Sequence, residues 1–547
     1  EIIYTVAWGD YWAPVKVWGG PMTAMVEFTA TMEELWVYDI SKKTNRRLST
    51  GHRDESADWI NSSKIVFVSD RANTYSPFTH DGNYYAPNPA LQVYTADITD
   101  DGIANVKNIA PNVQFAMAPM VASNGDICWV SWEAYGQNGQ RGYTHTASNM
   151  WWAVCAEQDG ANAYPIAGAH GSPYIASREL ITSWVDPYRS GEGVTAFRGL
   201  RPIVELFKDY IAVDNYYRGN SGGPFGNIFA FSRLPAGVEG VTIYNNYENA
   251  SVNQNSTAVG SGQYIPPDLV NLTPYGQDQD ATPKFSQQGV ASGRAGFPAP
   301  VPGNAWMYTH AAGWCYEAAI PHQATWDAMG GVPPCHKSIR LVNGLWAVNN
   351  PFDEEQSTTI ACADPKWHCW DARAISTYQE LYGQAEPATQ QPTPPGECYL
   401  EVVDARLSEF TPIPGDKPQD RISYQGNAVD DFTALMSDGG GLKIELIENW
   451  TTQPNRHGFQ AQTEYSITRI EQDGSLVAQV PCETPFLMSG VDKDNNVIAI
   501  DNMTHSLVSG ESRTCYGCHE AHSVERYSQY DASAKELFEN TIAGQKP

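Results

Sequence analysis

The chain has 547 residues, which is too long for one ordinary core and predicts two or three domains. Its 62 acidic and 34 basic side chains give a formal net charge of -28. Such an acidic surface repels nucleic acids and anionic membranes, so both are excluded as main partners, and it favours a basic protein partner. No run of about 18 apolar residues occurs in the sequence, so no membrane span is expected.

Short strands and turns dominate the first 383 residues. A strand, a polar turn and a second strand begin at residues 35–39, and the same order recurs near residues 91–94 and 150–154. The spacing is roughly 56 to 62 residues, longer than the usual propeller repeat of about 40 to 50, because loops are inserted. Each unit suits a blade of three or four antiparallel strands. The pattern predicts a mainly β fold with a six- or seven-bladed β-propeller over residues 1–383.

A proline-rich segment at residues 384–396 predicts a linker, since it can form neither a helix nor a strand ladder. Several segments beyond it alternate apolar and polar residues with period two. This alternation indicates a small β-sandwich domain over residues 397–508. The remaining residues, 509–547, contain a cysteine motif and a predicted C-terminal helix that starts near residue 531.

Two thiols three positions apart, with an imidazole directly after the second, stand at Cys515, Cys518 and His519. This is the attachment pattern of a c-type haem: the cysteines add across two vinyl groups of one porphyrin, and His519 becomes the proximal iron ligand. A zinc site is the competing interpretation, with His522 nearby, but no second Cys-x-x-Cys follows. A disulfide between cysteines this close would be strained. We therefore expect one covalent haem c in the segment 509–547.

Eight further cysteines permit four disulfides, which is typical of an oxidising compartment. Because c-type haem is also attached outside the cytoplasm, we expect an exported protein that is periplasmic or extracellular. The chain starts at Glu1 without an apolar leader, as it would after removal of a secretory signal. Cys362 and Cys369 are the first pair that we expect to form a bridge. The other six are Cys128, Cys155, Cys315, Cys335, Cys398 and Cys482.

The sixth ligand of the iron decides what such a haem does. Two strong protein ligands make an electron carrier, whereas an open face can bind and convert a small molecule. Met503 and His505, just before the motif, are distal candidates, and His310 from a predicted propeller strand is a third.

Two other groups of polar residues could hold metals but have simpler interpretations. Asp492, Asp494 and Asn496 alternate as calcium ligands can, yet no acidic residue closes the loop at the twelfth position, so a hairpin turn is favoured. A second group, rich in cysteine and histidine, matches no standard zinc spacing, and disulfides are favoured there. Its members are Cys315, His322, Cys335, His336 and His368.

The C-terminal third of the chain resembles a known family. Residues 472–476, 480–485 and 509–519 are similar to the end of proteins related to the hydrazine synthase α subunit. The resemblance implies an exported protein in which a propeller is followed by a β-rich domain that binds a c-type haem, with the haem-attachment residues in matching places.

The sequence also departs from that family. The hydrazine-forming enzyme has a second c-type haem, whereas this chain has no second Cys-x-x-Cys-His motif. In that enzyme a tyrosine four residues after the motif histidine ligates the catalytic iron. Ser523 stands at this position here, and Tyr527 is the next tyrosine. Hydrazine synthesis therefore does not carry over with the resemblance.

Three functions are compatible with these observations. The first is an exported monohaem cytochrome that passes electrons to or from a partner redox protein, such as another cytochrome, with the propeller as scaffold or docking disc. The second is a haem oxidoreductase that converts a small nitrogen or sulfur compound at an open iron. The third is a structural component of a larger extracellular or periplasmic assembly.

Overall fold

The structure, a computed structural model, shows two β-rich regions joined by a segment that contains one short helix. The described residues are 1–15, 25–74, 90–112, 115–134, 149–170, 200–215, 227–233, 270–273, 293–312, 336–344, 347–348, 358–405, 423–424, 427–428, 438–447, 462–500 and 504–515.

Within these residues the first region has five antiparallel sheets, each built from strands that follow one another along the chain. Sheet 1 contains β1 (Ile2–Val15), β2 (Met25–Asp39) and β3 (Thr44–Arg47). Sheet 2 contains β4 (Asp54–Asn61), β5 (Lys64–Ser69), β6 (Gln92–Thr99) and β7 (Gly102–Asn108). Sheet 3 contains β8 (Phe115–Val121), β9 (Ile127–Ala134), β10 (Asn149–Ala156) and β11 (Tyr164–His170).

Two further four-stranded sheets complete this region. Sheet 4 contains β12 (Leu200–Phe207), β13 (Tyr210–Asn215), β14 (Asn227–Ser232) and β15 (Val270–Asn271). Sheet 5 contains β16 (Gly293–Val301), β17 (Ala305–Ala312), β18 (Lys337–Asn343) and β19 (Thr358–Cys362).

Strand β5 is buried on both faces, and its side chains show how the sheets stack. Ile65 and Phe67 share a core with Leu35 of sheet 1. Val66 and Val68, which point the other way, share a core with residues of sheet 3. Because successive strand residues point to opposite faces, the continuous apolar run of β5 fits a sheet packed between two others.

The first strands of consecutive sheets are neighbours. β1 contacts β4, β4 contacts β8, β8 contacts β12, and β12 contacts β16. A series of antiparallel four-stranded sheets that meet through their first strands is the arrangement of propeller blades. The predicted mainly β, propeller-like architecture is therefore confirmed, while the predicted number of blades stays a prediction.

Helix α1 (Tyr378–Tyr382) follows sheet 5 and packs across sheets 3 and 4. Thr377 and Glu380 form a capping box at its start, and Gly383, with φ 69°, ends it in the left-handed region. The hydroxyl of Tyr378 donates to the carbonyl of Val121 at 3.0 Å. The hydroxyl of Tyr382 donates to the Glu205 carbonyl at 3.0 Å, so this helix lies over the sheet ends.

The proline-rich segment 384–396 contains no helix or strand and lies along sheet 3. Gln390 and Gln158 exchange two hydrogen bonds, each backbone N–H donating to the other's side-chain oxygen, at 2.6 and 3.2 Å. The N–H of Thr393 donates to Asp159 Oδ2 at 2.6 Å. These contacts make the segment a part of the packed structure, so it fixes where the second region lies.

The second region contains two sheets that share one apolar core. One has the order β25-β20-β28, with β20 (Cys398–Val402), β25 (Leu476–Val480) and β28 (Ser512–Cys515). The other has the order β24-β23-β26-β27, with β23 (Gly441–Ile447), β24 (Gln462–Arg469), β26 (Phe486–Val491) and β27 (Val497–Ile500). A short hairpin joins β21 (Ser423–Tyr424) and β22 (Asn427–Ala428).

Three disulfides lie in the described part of the chain. The predicted Cys362–Cys369 bridge is confirmed. Cys128–Cys155 links β9 to β10, and Cys398–Cys482 links β20 to the residues after β25. These bridges agree with an exported protein. Cys315 and Cys335, like the predicted helix near residue 531, lie outside the described residues.

Among the described residues, no helix combines the length and apolar character needed to cross a bilayer.

Candidate functional site

Strand β28 fixes the position of Cys515. It pairs in parallel with β20, with Cys515 opposite Val402, and the N–H of Val403 donates to the Cys515 carbonyl at 2.9 Å. The half-buried Cys515 side chain packs at the edge of the second region's core. Because side chains alternate along a strand, Cys515 lies on the same face of β28 as Arg513.

The residues of the motif fit a covalent haem. A thioether bond requires a thiol held in place but still accessible, and Cys515, half-buried at the end of an anchored edge strand, meets this requirement. A c-type haem needs two thiols for its thioether bonds and one imidazole as an iron ligand. Cys518, His519 and Met503 lie outside the described residues. Within the described ranges, no cluster of three or more His, Cys, Asp or Glu could hold a bare metal ion.

A buried carboxylate connects β28 to the first region. Glu511 Oε1 accepts the N–H of Asn162 at 2.9 Å and the Nε–H of Arg513 at 2.8 Å, and Oε2 accepts the N–H of Val508 at 2.9 Å. Asn162 lies in the turn between β10 and β11. Glu511 and Arg513 are only 2% and 8% exposed. Because this ion pair is buried, removing one partner would leave an uncompensated charge.

Gly510 allows the chain to pass close to the proline-rich segment. Its φ is 86°, and a Cβ atom there would lie 1.9 Å from the carbonyl oxygen of Pro394. Glycine is therefore needed both for the backbone conformation and for the space.

A pocket lies between the two regions, beside the strand that carries Cys515. We call it the junction pocket; its cavity volume is about 40 Å³. Sheets 2 and 3 and their loops form one wall, and residues 504–506 with Arg513 form the other. The residues with larger or polar side chains in its lining include Asn112, Trp129, Ser131, Val154, His505 and Arg513.

The structure places His505 in the junction pocket. His505 pairs with Phe486 through two backbone hydrogen bonds, at 3.0 and 2.9 Å, and its ring centroid lies 6.0 Å from that of Phe486. The half-buried imidazole shares the pocket with Arg513, two residues before Cys515. Of the two distal candidates that the structure describes, His505 is the one that lies near the haem-attachment strand, and its role as a ligand stays a prediction.

His310 lies elsewhere, in strand β17. It is 1% exposed, and burial, with a smaller effect of the nearby Arg340 charge, lowers the pKa of its imidazole to about 3. Its ring packs against Tyr308 with the centroids 6.4 Å apart. It does not line the junction pocket.

The two alternative metal groups have structural explanations where they are described. Asp492 Oδ1 accepts the N–H groups of Asp494 and Asn496 at 2.9 and 2.8 Å, so these residues form the turn between β26 and β27, as predicted. In the second group, His368 Nδ1 accepts the N–H of Lys337 at 3.1 Å. His336 hydrogen-bonds to the carbonyl of Asp364 at 2.7 Å.

Buried carboxylates also join the propeller-like sheets. Glu205 accepts the Ser123 hydroxyl at 2.7 Å and the N–H groups of Ser123 and Asp209 at 2.5 Å. Burial raises the pKa of Glu205 to about 7, against the opposing effect of these hydrogen bonds. Asp58 accepts the N–H of Val121 at 2.8 Å, and burial raises its pKa as well. These groups hold neighbouring sheets together and lie apart from the junction pocket.

The hydrogen bond between Asn162 and Glu511 and the junction pocket could not be found from the sequence. Glu511 and Asn162 are 349 positions apart, and no local pattern announces their contact. One weak signal links Arg513 to the site. Arg513 and Cys515 are two positions apart in a predicted β-rich domain, so both would lie on the same face of a strand.

The fold and the site together define a propeller-like β protein whose second region carries a cysteine on an edge strand, beside a pocket shared by both regions. Residues 447–520 match the family model of the "Hydrazine synthase alpha subunit middle domain". The chain is therefore related to the hydrazine synthase α subunit, as its C-terminal sequence predicts.

A solved structure extends the likeness of the fold. A chain of "Kuenenia stuttgartiensis Hydrazine Synthase" is similar at a TM-score of 0.53 with 14% identity, over 93% of this chain. This chain spans 62% of the length of that one. A tricorn protease matches at a TM-score of 0.29 with 10% identity, covering 91% of this chain and 36% of the other. No curated protein sequence matches the chain.

Proposed function

We propose that the chain is an exported haem oxidoreductase that converts a small molecule at one covalent haem c, held by Cys515, Cys518 and His519. The observation that carries this proposal is the junction pocket, because Arg513, which lies on the same strand as Cys515, lines this pocket between the two regions. A protein that only carries electrons requires no such pocket. When bound, the haem supplies one-electron redox chemistry and an iron position open to a ligand.

The chain's own residues provide the surroundings. Glu511 orients Arg513 through the contact at 2.8 Å, and the contact with Asn162 holds β28 against sheet 3. Trp129 and Val154 give the pocket an apolar wall that limits water. Arg513 offers N–H groups to a bound molecule. The similarity to a hydrazine synthase supports an enzyme, although Ser523 in place of the iron-binding tyrosine argues for a different reaction.

A second candidate function is the monohaem electron carrier. The formal charge of -28 favours it, since an acidic surface attracts a basic redox partner, such as another cytochrome, and speeds their encounter. Both functions imply a periplasmic or extracellular protein that works within a larger assembly.

One experiment separates these functions. Absorption spectra of the natively exported protein are recorded oxidised and reduced, with and without carbon monoxide. We expect a haem spectrum that carbon monoxide shifts in the reduced state, because the oxidoreductase needs an open iron. A haem spectrum insensitive to carbon monoxide would favour the electron carrier. A colourless protein would exclude both and favour a structural component, and the double variant Cys515→Ser/Cys518→Ser gives the haem-free reference spectrum.

A further inference from the structure

We propose that the junction pocket binds a small planar oxyanion, of the size of a carboxylate, through the guanidinium of Arg513. This inference deepens the proposed function and rests on it for the position of the haem beside the pocket. It identifies the chemical group that the pocket selects.

The cavity volume limits the size of the ligand. A buried water occupies roughly 10 to 15 Å³ on the same measure, so a cavity of about 40 Å³ holds about three water-sized atoms. Formate, nitrite and the carboxylate end of a longer molecule fit this space, whereas an aromatic ring does not.

Arg513 has donors left for such a ligand. A guanidinium carries five N–H groups in a rigid fork that suits planar oxyanions. In the described residues, the Nε–H of Arg513 donates to Glu511, and one N–H of its Nη2 atom donates to the Ser506 carbonyl at 3.0 Å. Three N–H groups therefore remain. Because the side chain is only 10% exposed and Arg513 lines the pocket, these groups are largely shielded from bulk solvent.

The charges around the pocket favour an anion. Among the described residues, the pocket lining includes the guanidinium of Arg513 but no Asp or Glu, in a chain with 62 acidic side chains. Glu511 lies behind Arg513, and its carboxylate already accepts two backbone N–H groups, from Asn162 and Val508. These donors disperse the carboxylate charge, so the side of the guanidinium that faces the pocket stays available.

Two sources can provide this oxyanion. A free anion can enter as a substrate or effector, or a propionate of the attached haem can occupy the space. Both present a planar group with two oxygens to Arg513, and an experiment with and without haem separates them.

The test is calorimetric titration of formate into the full-length exported protein, with the haem absorption recorded in parallel. We expect formate to bind the holoprotein without shifting the haem bands. Arg513→Gln should weaken formate binding about tenfold or more, since it removes charge-assisted hydrogen bonds. Ala163→Leu, which fills the pocket but keeps the Glu511–Arg513 pair, should weaken it similarly. Arg46→Gln, at the far exposed end of sheet 1, is the matched control.

Each other outcome has one meaning. Formate binding only in Cys515→Ser/Cys518→Ser, and lost there with Arg513→Gln, would support the pocket chemistry with the haem propionate as its source. Binding that shifts the haem bands and does not depend on Arg513 would overturn the inference but not the proposed function. No Arg513-dependent binding with or without haem would also overturn it. A colourless protein would refute the proposed function, while the formate titration would still test the pocket.

Discussion

Strands β5 and β28 hold their places by different means. β5 lies between two sheets, with Ile65, Val66, Phe67 and Val68 fully buried in apolar cores. β28 is an edge strand that depends on the Glu511 ion pair and on the close passage of Gly510 under the proline-rich segment. Apolar packing is non-directional, whereas a hydrogen-bonded ion pair sets a particular geometry. The difference indicates that the apolar cores of the first region stabilise the fold, whereas the polar contacts at the junction set the position of β28 and Cys515.

The largest effect is expected in the packed sheets. Phe67→Ala removes a fully buried ring and should lower the free energy of unfolding by about 4 kcal/mol. Phe67→Leu, which keeps most of the volume, should cost less than about half of that. Denaturant unfolding followed by tryptophan fluorescence measures both. Equal costs for the two variants would contradict the close packing of sheets 1 and 2.

The ion pair at the junction comes next. Glu511→Gln leaves the Arg513 charge buried without its partner and should cost about 3 kcal/mol. Unlike Phe67→Ala, it should act locally and increase proteolytic cleavage in the proline-rich segment. Glu464→Gln, at a 55% exposed position, is the control and should change neither measurement. Uniform destabilisation without faster cleavage would show that the pair does not position β28.

Gly510→Ala tests the close passage of the chain. The new Cβ would meet the Pro394 carbonyl, so we expect a loss of about 2 kcal/mol or more, together with weaker contact of the segment with sheet 3. Gly303 is a matched control, because its φ of 88° is similar and nothing lies within 4 Å of its Cβ position. Gly303→Ala should therefore cost only about 1 kcal/mol, from the backbone alone. The same loss for both variants would contradict this contact.

The smallest effect concerns pH and the sheet-joining carboxylates. Because the pKa of Glu205 is raised to about 7 by burial, the folded state holds this proton more tightly than the unfolded chain, whose carboxyl has its ordinary value. This contribution to stability is full at low pH and is lost as pH rises towards 7. Glu205→Gln should reduce the fall in unfolding free energy between pH 5 and 7 by about 2 kcal/mol. The same pH dependence in the variant and the unaltered protein would show that Glu205 does not titrate in this pH range.

Local patterns predicted the strands well where burial decides them. Residues 35–39 and 150–154, which the sequence predicts as strands, lie in β2 and β10. The disulfide between Cys362 and Cys369 followed from their short separation. Helix α1 was missed because only five residues carry it and none of them is buried, so it has no apolar periodicity.

The candidate site was predictable only in part. Cys515, Cys518 and His519 form a contiguous motif whose chemistry dictates its spacing, so the sequence alone indicates them. The pocket beside Cys515 forms where the two regions pack together. Their relative position is set by individual polar contacts between residues that are far apart in the sequence. Gln158 with Gln390, 232 positions apart, is one of these contacts, and nothing in the sequence near either residue specifies it.

The intact mass of the natively exported protein, measured under denaturing conditions, tests the central claim most directly. We predict a mass equal to the polypeptide plus one haem, and the mass of the bare polypeptide for Cys515→Ser/Cys518→Ser. A bare polypeptide mass for the unaltered protein would contradict a covalent haem on β28, and with it the redox function proposed for the junction.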